Sequence, residues 1–232
     1  MSEKTRLNKL LAEQLGLSRR DADDKIAAGR VLVNGAPAVL GAQVSRDSDI
    51  ITLDGAPVQS VKKAFTYLLF HKPVNYVCSR RKQGDTNTIY ALLPPEYQKL
   101  KTVGRLDKDS SGLIILTDDG DFAHRMTHPS FVKMKVYDVT LDKPLEPLHQ
   151  QLINDHGITL PDGPSKLTLE KQSDAAHFQV TMHEGRNRQI RRTFAALGYT
   201  VIALHRTAFG SFHLGNLQPG KLKLISTDVS ID

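Results

Sequence analysis

An arginine and a carboxylate lie two residues apart within residues 104–112, Gly-Arg-Leu-Asp-Lys-Asp-Ser-Ser-Gly. The apolar run at 113–116 predicts a buried strand directly after them, and the turn residues 118–120 end that strand. Active-site groups are commonly held on a turn between ordered segments, so Arg105 and Asp107 are candidates for chemistry. A carboxylate in such a place acts as a nucleophile or as a general base. A structural role is the alternative, since Asp and Ser in a glycine-bounded turn bond the local backbone.

The composition describes a globular protein with an excess of positive charge. The 232 residues are 40% hydrophobic and 24% charged, and the net charge is +6. The first residues lack the apolar run of a signal peptide, and no stretch is apolar for long enough to span a membrane. The single cysteine, Cys78, excludes an internal disulfide and any multi-cysteine zinc site, which suits a reducing environment. These features predict a cytoplasmic protein.

The distribution of charge indicates a nucleic-acid partner. Residues 1–58 carry eight basic and eight acidic residues, so the excess lies beyond them. Residues 59–82 contain six basic residues and no acidic one: Lys62, Lys63, Lys72, Arg80, Arg81 and Lys82. A second basic cluster, beside the single acid Glu184, consists of Arg186, Arg188, Arg191 and Arg192. Because the two clusters flank the turn at 104–112 in the sequence, they favour nucleic acid over other partners.

Two other groups of side chains are of types that bind metals. One is a set of carboxylates that could together hold magnesium, as in a nuclease: Asp107, Asp109, Asp118 and Asp119. The other is His124 and His128, whose spacing of four on a predicted helix could suit zinc. No third ligand with a recognisable spacing accompanies the two histidines, so we interpret them as polar surface or RNA-contact residues. Residues 118–120 are sufficiently explained as a turn.

The start of the chain has the pattern of a small unit with two helices and short strands. Leucines at helical spacing predict a first helix that ends at Gly16, and Ser18 begins a capping box that opens a second helix. Strands are predicted at 31–33 and 50–53, each before a tight turn. Residues 59–65 are polar and basic, which predicts a linker to a second domain.

The first unit, residues 1–58, closely resembles the alpha-L RNA-binding domain, a family first known from a small-subunit ribosomal protein. The resemblance rests on Arg-Leu-Asn-Lys-Leu-Leu at 6–11, Ser-Arg-Arg at 18–20 and Ala-Gly-Arg-Val-Leu-Val-Asn-Gly at 28–35. In that family the first two helices present basic residues to structured RNA. The matching residues, which the resemblance implies to be RNA contacts, are Arg6, Lys9, Arg19, Arg20 and Arg30.

The remainder of the chain, residues 66–232, predicts a second domain of strands and helices. Strands are predicted at 67–70, 133–141, 167–169, 178–182 and 200–204, and helices at 120–126 and 145–155. The segment 184–198 predicts a further helix, with Arg188, Arg191 and Arg192 on one face. The opposite face of that helix is apolar and would pack on a sheet, leaving the guanidinium groups available to a ligand.

Residues 66 to about 225 resemble the catalytic domain of a pseudouridine synthase, of the type found in the bacterial small-subunit rRNA uridine synthase and its large-subunit relatives. Five matching pieces occur in the family's order: Lys-Pro at 72–73 with Tyr-Val at 76–77, residues 104–107 with Gly-Leu at 112–113, Lys-Val-Tyr at 135–137, Gly-Arg at 185–186 through Gln-Ile-Arg at 189–191, and Leu204 before Arg206. The family usually has glycine where this chain has Asn75. Asparagine tolerates a left-handed conformation, so we expect the local turn to be kept.

This resemblance implies both a fold and a reaction. The fold is α+β, with a small N-terminal alpha-L domain followed by a mixed, largely antiparallel sheet in the catalytic domain. The reaction is the isomerisation of a uridine in ribosomal RNA, in which the N1–C1′ glycosidic bond breaks, the uracil turns, and C5 is joined to C1′. Because the product is an isomer of the substrate, no cofactor, energy donor or metal is required.

The resemblance also assigns roles to the matching residues. Asp107 is the essential carboxylate, as nucleophile or base, and Arg191 pairs with it so that it stays ionised when buried. Tyr137 stacks on the uracil and is a candidate to remove the C5 proton, Leu204 forms a wall of the uracil pocket, and Arg105 assists base flipping. The implied RNA contacts of this domain are Lys72, Lys135, Arg186, Arg188 and Arg192.

The predicted partner of the chain is ribosomal RNA, free or within a pre-ribosomal particle. No membrane partner is predicted, and we expect the chain to act as a monomer. A rival interpretation is a non-catalytic RNA-binding or ribosome-assembly factor that uses the same surface. The combination of Asp107, Tyr137 and Arg191 argues against this rival, because a binding protein requires none of the three.

Overall fold

The computed structural model describes residues 4–59, 64–81 and 84–225 of the chain. The chain divides into two compact units, Met1–Ala64 and Phe65–Asp232, each built around its own buried apolar side chains. Residues 60–63 of the predicted linker lie outside the described residues, and so do Lys62, Lys63 and Lys82 of the first basic cluster.

The first unit combines two helices with short strands. Its helices are α1 (Leu7–Leu15) and α2 (Arg19–Ala27), and its strands are β1 (Lys4–Arg6), β2 (Val31–Val33), β3 (Ala36–Pro37), β4 (Gln43–Ser45), β5 (Ile51–Leu53) and β6 (Ala56–Pro57). The two predicted helices are confirmed, since α1 ends where Gly16 adopts a left-handed conformation and the capping box of α2 forms between Ser18 and Asp21. Leu7 and Leu10 are completely buried in a core shared with α2 and β2.

The second unit contains a large sheet and three α-helices within its described residues. The helices are α3 (Gly120–Thr127), α4 (Pro147–Asp155) and α5 (Gln189–Ala195). The strands are β7 (Tyr67–Lys72), β8 (Lys101–Val103), β9 (Ser111–Thr117), β10 (Lys135–Leu141), β11 (Ile158–Leu160), β12 (Gly163–Ser165), β13 (Thr168–Lys171), β14 (His177–Met182), β15 (Val201–Phe209), β16 (Phe212–His213) and β17 (Leu222–Leu224). Strands β11 and β12 form a separate hairpin.

The main sheet has the strand order β13-β14-β10-β15-β9-β7-β17, with β8 paired to β9 and β16 paired to β15. Its pairings are antiparallel except that of β9 with β15, which is parallel. The predicted α+β class with a mixed, largely antiparallel sheet is therefore confirmed. No helix in the described ranges is both long enough and apolar enough to cross a membrane.

Strand β9 lies at the centre of this unit because both of its faces are buried. Leu113 and Ile115 pack with Phe122 of α3 in one apolar cluster. Ile114 and Leu116 pack in another cluster, with residues of β7 and of the segment before β8. The unbroken apolar run in the sequence predicted this burial, and the strand provides a rigid support for the turn that precedes it.

Glycine at position 112 allows β9 and β15 to meet beside that turn. Its φ of 110° lies in a region that other residues rarely adopt, and a Cβ there would be 2.5 Å from the main-chain nitrogen of Arg206. The parallel register joins Gly112 to Arg206 and Ser111 to His205. Any side chain at position 112 would therefore push apart the two strands that support the candidate site.

The predicted helix at 184–198 differs from the structure. Helix α5 begins only at Gln189, and Arg188 before it has a left-handed conformation, with φ 48°. The side-chain oxygen of Gln189 accepts a hydrogen bond from the N–H of Arg186 at 3.1 Å, which holds the preceding segment as a loop. The prediction that Arg188 shares a helix face with Arg191 and Arg192 is therefore wrong.

Candidate active site

Most of the predicted site residues of the second unit line a cleft with a volume of about 1020 Å³. Its walls come from the turn between β8 and β9, from β10 and β15, and from the loop before α5. The predicted residues that line it are Arg105, Asp107, Lys135, Tyr137, Arg186, Arg188 and Leu204. Lys72, Arg191 and Arg192 are not part of its lining and contact other groups.

Lys72, at the end of β7, holds the turn that carries Asp107. Its side chain is completely buried, and its ammonium group donates hydrogen bonds to the main-chain oxygens of Pro73, Asp107 and Ser110 at 3.0, 2.9 and 2.6 Å. Burial lowers the pKa of Lys72 to about 8, although nearby acidic groups such as Asp109 oppose the decrease. The predicted contact of Lys72 with RNA phosphates is wrong, because its three donors are used within the protein.

The carboxylate of Asp107 remains accessible from the cleft. Its side chain is 32% exposed, and its Oδ2 lies 3.7 Å from Nη1 of Arg188. The main-chain oxygen of Asp107 accepts hydrogen bonds from the N–H of Ser110 at 3.1 Å and from Lys72. Gly104 begins the turn with a left-handed φ of 72°. The turn is thus fixed through its backbone, which leaves the carboxylate of Asp107 available for a ligand.

Arg191 does not form the predicted ion pair with Asp107. Its Nη2 donates to the main-chain oxygen of Asp109 at 2.8 Å, its Nε lies 3.3 Å from the carboxylate of Asp109, and its Nη1 donates to the oxygen of Val201 at 2.5 Å. Two hydrogen bonds from Arg188, at 3.0 and 2.9 Å, reach the same carboxylate and lower the pKa of Asp109. The predicted pairing is wrong because the contact with Val201 directs Arg191 to Asp109, whereas Arg188 lies beside Asp107.

Arg186 and Arg192 bind a different carboxylate, Asp162 in the turn between β11 and β12. The two Nη atoms of Arg192 donate to the two carboxylate oxygens of Asp162, both at 2.8 Å, and this lowers the pKa of Asp162. Arg186 donates to three main-chain oxygens of the same hairpin, those of Asp162, Gly163 and Pro164, at 2.8, 3.0 and 2.8 Å. Their donors tie the hairpin to α5 and to the loop before it, so a phosphate that contacts Arg186 or Arg192 would compete with Asp162, and the RNA contacts of these two residues stay a prediction.

Tyr137 and Leu204 form an apolar part of the cleft wall. They are 7% and 8% exposed and lie on the adjacent strands β10 and β15. Strand β15 continues to Phe209, beyond the predicted end at 204, so Arg206 is also part of it and lines the cleft. Arg206 had no role in the sequence-based prediction. The available signal was its spacing of two from Leu204, which places both side chains on one face of a strand.

Lys135 is a cation of the cleft wall whose charge depends on pH. Its ammonium group donates to the main-chain oxygen of Lys133 at 3.1 Å and lies 5.2 Å from the centre of the Phe209 ring. Burial lowers the pKa of Lys135 to about 8, with a further decrease from Arg206 and an opposing effect of Glu184. Lys135 is therefore mostly charged below pH 8 and mostly neutral above it.

Arg105 lines the cleft and is exposed to solvent. Within the residues that the structure describes, it makes no hydrogen bond or ion pair. The neighbouring Leu106 is buried, and its N–H and oxygen contact the sulfur of Cys78 at 3.4 and 3.5 Å. The turn therefore anchors Leu106 inside the protein and leaves the guanidinium group of Arg105 available to a ligand.

The five predicted RNA contacts of the first unit differ in whether their side chains already bond to other residues. Three of them are exposed on or beside the helices: Arg6, Arg19 and Arg20. Of these, Arg19 donates a hydrogen bond to the side-chain oxygen of Asn8 at 3.2 Å. Lys9 lies 4.0 Å from Glu13, one helical turn further on. Arg30 donates two hydrogen bonds to the carboxylate of Asp54 at 2.8 and 2.5 Å. A phosphate that contacts Arg30 would therefore compete with Asp54.

Three of the candidate magnesium ligands, Asp109, Asp118 and Asp119, accept hydrogen bonds from separate groups of the protein. Oδ1 of Asp119 accepts hydrogen bonds from the first N–H groups of α3 at 2.9 and 3.0 Å, and Oδ2 accepts one from the hydroxyl of Tyr67 at 2.7 Å. Asp118 accepts a hydrogen bond from a main-chain N–H at 2.8 Å. Across the described ranges, no three His, Cys, Asp or Glu side chains are arranged to hold a metal ion. This arrangement gives no support to the magnesium or the zinc alternative.

Comparisons with known proteins agree with the resemblance inferred from the motifs. The family described as RNA pseudouridylate synthase matches residues 66–196. A ribosomal small subunit pseudouridine synthase A from Pasteurella multocida is 39% identical over 229 residues, which cover 96% of this chain and 97% of that relative. A ribosomal large subunit pseudouridine synthase B from Bacillus subtilis is 35% identical over 222 residues, which cover 93% and 89%. A crystal structure of a pseudouridylate synthase is 34% identical, covers 95% of this chain and 96% of that one, and has a TM-score of 0.67.

These relatives match nearly the full length of the chain, so the similarity extends over both compact units. The region that matches the family contains both Asp107 and Tyr137. The predicted family and the predicted enzyme class, an isomerase, are therefore confirmed. From its motifs, its fold and these relatives, the chain belongs to the RNA pseudouridylate synthase family.

Proposed function

We propose that this chain is a ribosomal RNA pseudouridine synthase, which breaks the N1–C1′ bond of a specific uridine and joins C5 to C1′. The observation that carries the proposal is the presence of Asp107 and Tyr137 in one cleft, with the main chain of Asp107 fixed by Lys72. A carboxylate held in place beside a buried aromatic ring supplies the groups that this isomerisation requires. Substrate and product are isomers, so the proposed reaction uses no cofactor.

Asp107 is the proposed nucleophile or base. It must be ionised either to attack the sugar or the base or to take up a proton, and its Oδ2 lies 3.7 Å from the guanidinium group of Arg188. Tyr137 offers a ring on which the uracil stacks and is the candidate to remove the C5 proton. Leu204 supplies an apolar wall of the same pocket. Together these residues would hold the detached uracil while it turns.

Arg105 is the proposed base-flipping residue. The target base must leave its stack to reach Asp107, at a cost of roughly a few kcal/mol. The exposed guanidinium group of Arg105, two residues from Asp107, is available to occupy the vacated space and to contact the flanking phosphates. Lys135 and Arg188 add positive charge to the same cleft and would position the RNA backbone.

The first unit is the proposed alpha-L RNA-binding domain, residues 1–58, and residues 66–232 are the proposed catalytic domain. The RNA contacts proposed for the first unit are Arg6, Lys9, Arg19, Arg20 and Arg30. Exposure of three of these residues supports this role. Their contacts would be to phosphates, so the first unit would add affinity more than sequence preference.

Ribosomal RNA is the proposed substrate because relatives that match both units are named as ribosomal pseudouridine synthases. The small-subunit relative is 39% identical and the large-subunit relative 35%, so small-subunit rRNA is the first substrate to test. The RNA would be recognised free or within a pre-ribosomal particle, by its shape around the target. We propose that the chain acts as a monomer in the cytoplasm.

The proposal is tested by incubating the purified chain with small-subunit and large-subunit rRNA transcripts, with and without EDTA. Pseudouridine is then mapped by a chemical label specific for it. We expect conversion of a defined uridine in one of the transcripts, with the same yield in EDTA. Tight binding of the RNA without conversion of any transcript or pre-ribosomal particle would instead indicate an assembly factor.

A further inference from the structure

Three buried polar atoms of cleft-lining residues have no hydrogen-bond partner in the part of the chain that the structure describes. They are Nη2 of Arg206, Oγ of Ser110 and Nε of Arg186. The two Nη atoms of Arg186 bond to the hairpin of β11 and β12, so the argument concerns the other two residues. Arg206 and Ser110 are only 2% and 1% exposed, so solvent does not replace the missing partners. Buried polar atoms are paired in nearly all native proteins, because an unpaired one loses its hydration without compensation. The unpaired atoms of Arg206 and Ser110, at one cleft, indicate that a ligand group supplies the partner.

Arg206 is, in addition, a buried cation without a carboxylate partner in the described ranges. Its Nε donates to the main-chain oxygen of Leu113 at 2.8 Å, and its guanidinium carbon lies 4.9 Å from the centre of the Phe209 ring. Beyond the effect of burial, its charge contributes to the lowered pKa values of Lys72 and Lys135. Arg206 thus repels two other cations beside the cleft, Lys72 and Lys135, and an oxygen with partial or full negative charge would relieve this repulsion.

Arg206 and Ser110 also lie beside the groups of the proposed reaction. In the sheet, Arg206 is directly opposite Tyr137 of the neighbouring strand β10, so the two side chains share a face. Ser110 lies three residues after Asp107 in the same turn, and both residues line the cleft. A base that stacks on Tyr137 would therefore present its polar edge to Arg206.

We propose that Arg206, assisted by Ser110, contacts the substrate and donates a hydrogen bond to an oxygen of the target nucleotide. This inference rests on the proposed function and adds a residue to it. Two parts of the substrate have the required chemistry, namely the carbonyl oxygens of the uracil and the oxygens of the flanking phosphates. The position opposite Tyr137 favours the uracil carbonyls.

A contact to the uracil would act on the bond-breaking step. When the glycosidic bond breaks, its electron pair passes to the uracil, and negative charge spreads to the carbonyl oxygens. A buried guanidinium group stabilises that charge more than it stabilises the neutral base of the substrate. When C5 bonds to C1′, the C5 proton is lost and N1 takes up a proton, so the charge is lost again. Arg206 would therefore lower the barrier without changing the overall balance of the reaction.

Substitutions of the two residues test the contact. Arg206→Met removes the charge at similar volume, Arg206→Lys keeps the charge, and Ser110→Ala removes only the hydroxyl. The matched control is Ser111→Ala, since Oγ of Ser111 already has a partner, Nδ1 of His205 at 2.8 Å. We expect the single-turnover rate to fall by about 100-fold in Arg206→Met and by about tenfold in Arg206→Lys and Ser110→Ala. Ser111→Ala should stay within about twofold of the parent.

Altered substrates then separate a direct contact from a structural role and identify the oxygen. One series carries 2-thiouridine or 4-thiouridine at the target, which weakens one carbonyl acceptor, and another carries an uncharged methylphosphonate at a flanking position. If Arg206 or Ser110 contacts the altered group, that alteration slows the parent but causes little further loss in the corresponding variant. Thermal unfolding of each variant shows whether it is folded. If Arg206→Met does not fold, the comparison of Ser110→Ala with the parent on normal and altered substrates provides the same test.

The outcomes are distinct for the two proposals. Non-additive losses with a thiouridine assign the contact to the base, and non-additive losses with a methylphosphonate assign it to the phosphate. Parent-like rates in folded Arg206→Met and Ser110→Ala, or strictly additive losses with every substrate, would overturn this inference while leaving the proposed function intact. A parent protein that converts no rRNA would overturn both.

Discussion

Two clusters of ion pairs anchor residues 186–192, and they differ in what they position. The Asp109 cluster consists of Asp109, Arg188 and Arg191, and the Asp162 cluster consists of Asp162, Arg186 and Arg192. The Asp109 cluster adjoins the turn that carries Asp107, whose carboxylate lies 3.7 Å from an arginine of the cluster. The Asp162 cluster holds the hairpin of β11 and β12 instead.

This difference indicates how a basic segment can serve the fold and the chemistry at once. Ion pairs near the surface contribute little to stability by themselves. In the Asp109 cluster, however, Arg188 contacts the carboxylates of both Asp109 and Asp107, so a change at Asp109 alters the environment of Asp107. We therefore expect changes at the Asp109 cluster and at the turn it adjoins to alter the rate of conversion. Changes at the Asp162 cluster should mainly alter stability.

Lys72→Met should have the largest effect of the positioning variants. It leaves the oxygens of Asp107 and Ser110 without their ammonium donor, and each buried unpaired group costs about 1–3 kcal/mol. We expect a loss of about 2–5 kcal/mol in the free energy of unfolding and at least about a 100-fold slower conversion by the folded fraction. Urea unfolding and single-turnover kinetics measure the two effects. The control is Lys101→Met on the exposed side of β8, and equal behaviour of the two variants would contradict the role of Lys72.

Asp109→Asn should slow conversion by about tenfold while the protein stays folded. Without the carboxylate of Asp109, Arg188 is free to pair more closely with Asp107 and to stabilise its ionised ground state. RNA affinity should be equal or higher, since a negative charge has been removed. An unchanged rate in folded Asp109→Asn would remove the link between the Asp109 cluster and catalysis.

Asp162→Asn is the matched change in the other cluster. It loosens Arg186 and Arg192 from the β11–β12 turn, so we expect a small decrease in the midpoint of thermal unfolding. The single-turnover rate should remain within about threefold of the parent, because exposed ion pairs contribute little by themselves and this cluster is not bonded to Asp107. If Asp162→Asn slows conversion as much as Asp109→Asn does, the two clusters do not differ in the way proposed here.

Lys135 should give the smallest effect, a change of RNA affinity with pH. Its pKa of about 8 lies below the usual value for lysine, so its charge is present below pH 8 and is lost as the pH rises through 8. The dissociation constant for RNA should therefore increase by a few-fold, on the order of one phosphate contact, between pH 7 and pH 9 at constant salt. Lys135→Arg keeps its charge and should flatten this dependence. An equal pH dependence in the parent, Lys135→Arg and Lys135→Met would assign the effect to another group.

Local patterns were sufficient to predict most of the helices, the main strands and the family, but not the start of α5, the end of β15 or the partners of the charged side chains. The apolar run of β9 and the capping box of α2 depend only on neighbours in the sequence. Lys72 differs, because its burial depends on oxygens of a turn 35 residues away, which no local pattern reveals. Arg191 was assigned to Asp107 by resemblance alone, whereas its contact with Val201 depends on the sheet.

The role of Asp107 is tested most directly by the single-turnover conversion of rRNA by Asp107→Asn. Asparagine has nearly the same size, but it can neither attack as a carboxylate nor accept a proton as one. We predict that this variant unfolds at the parent's temperature, binds RNA within about threefold of the parent, and converts the target at least about 1000-fold more slowly. Conversion at the parent's rate by a folded Asp107→Asn that binds RNA would contradict the assignment of Asp107 as the carboxylate of the isomerisation.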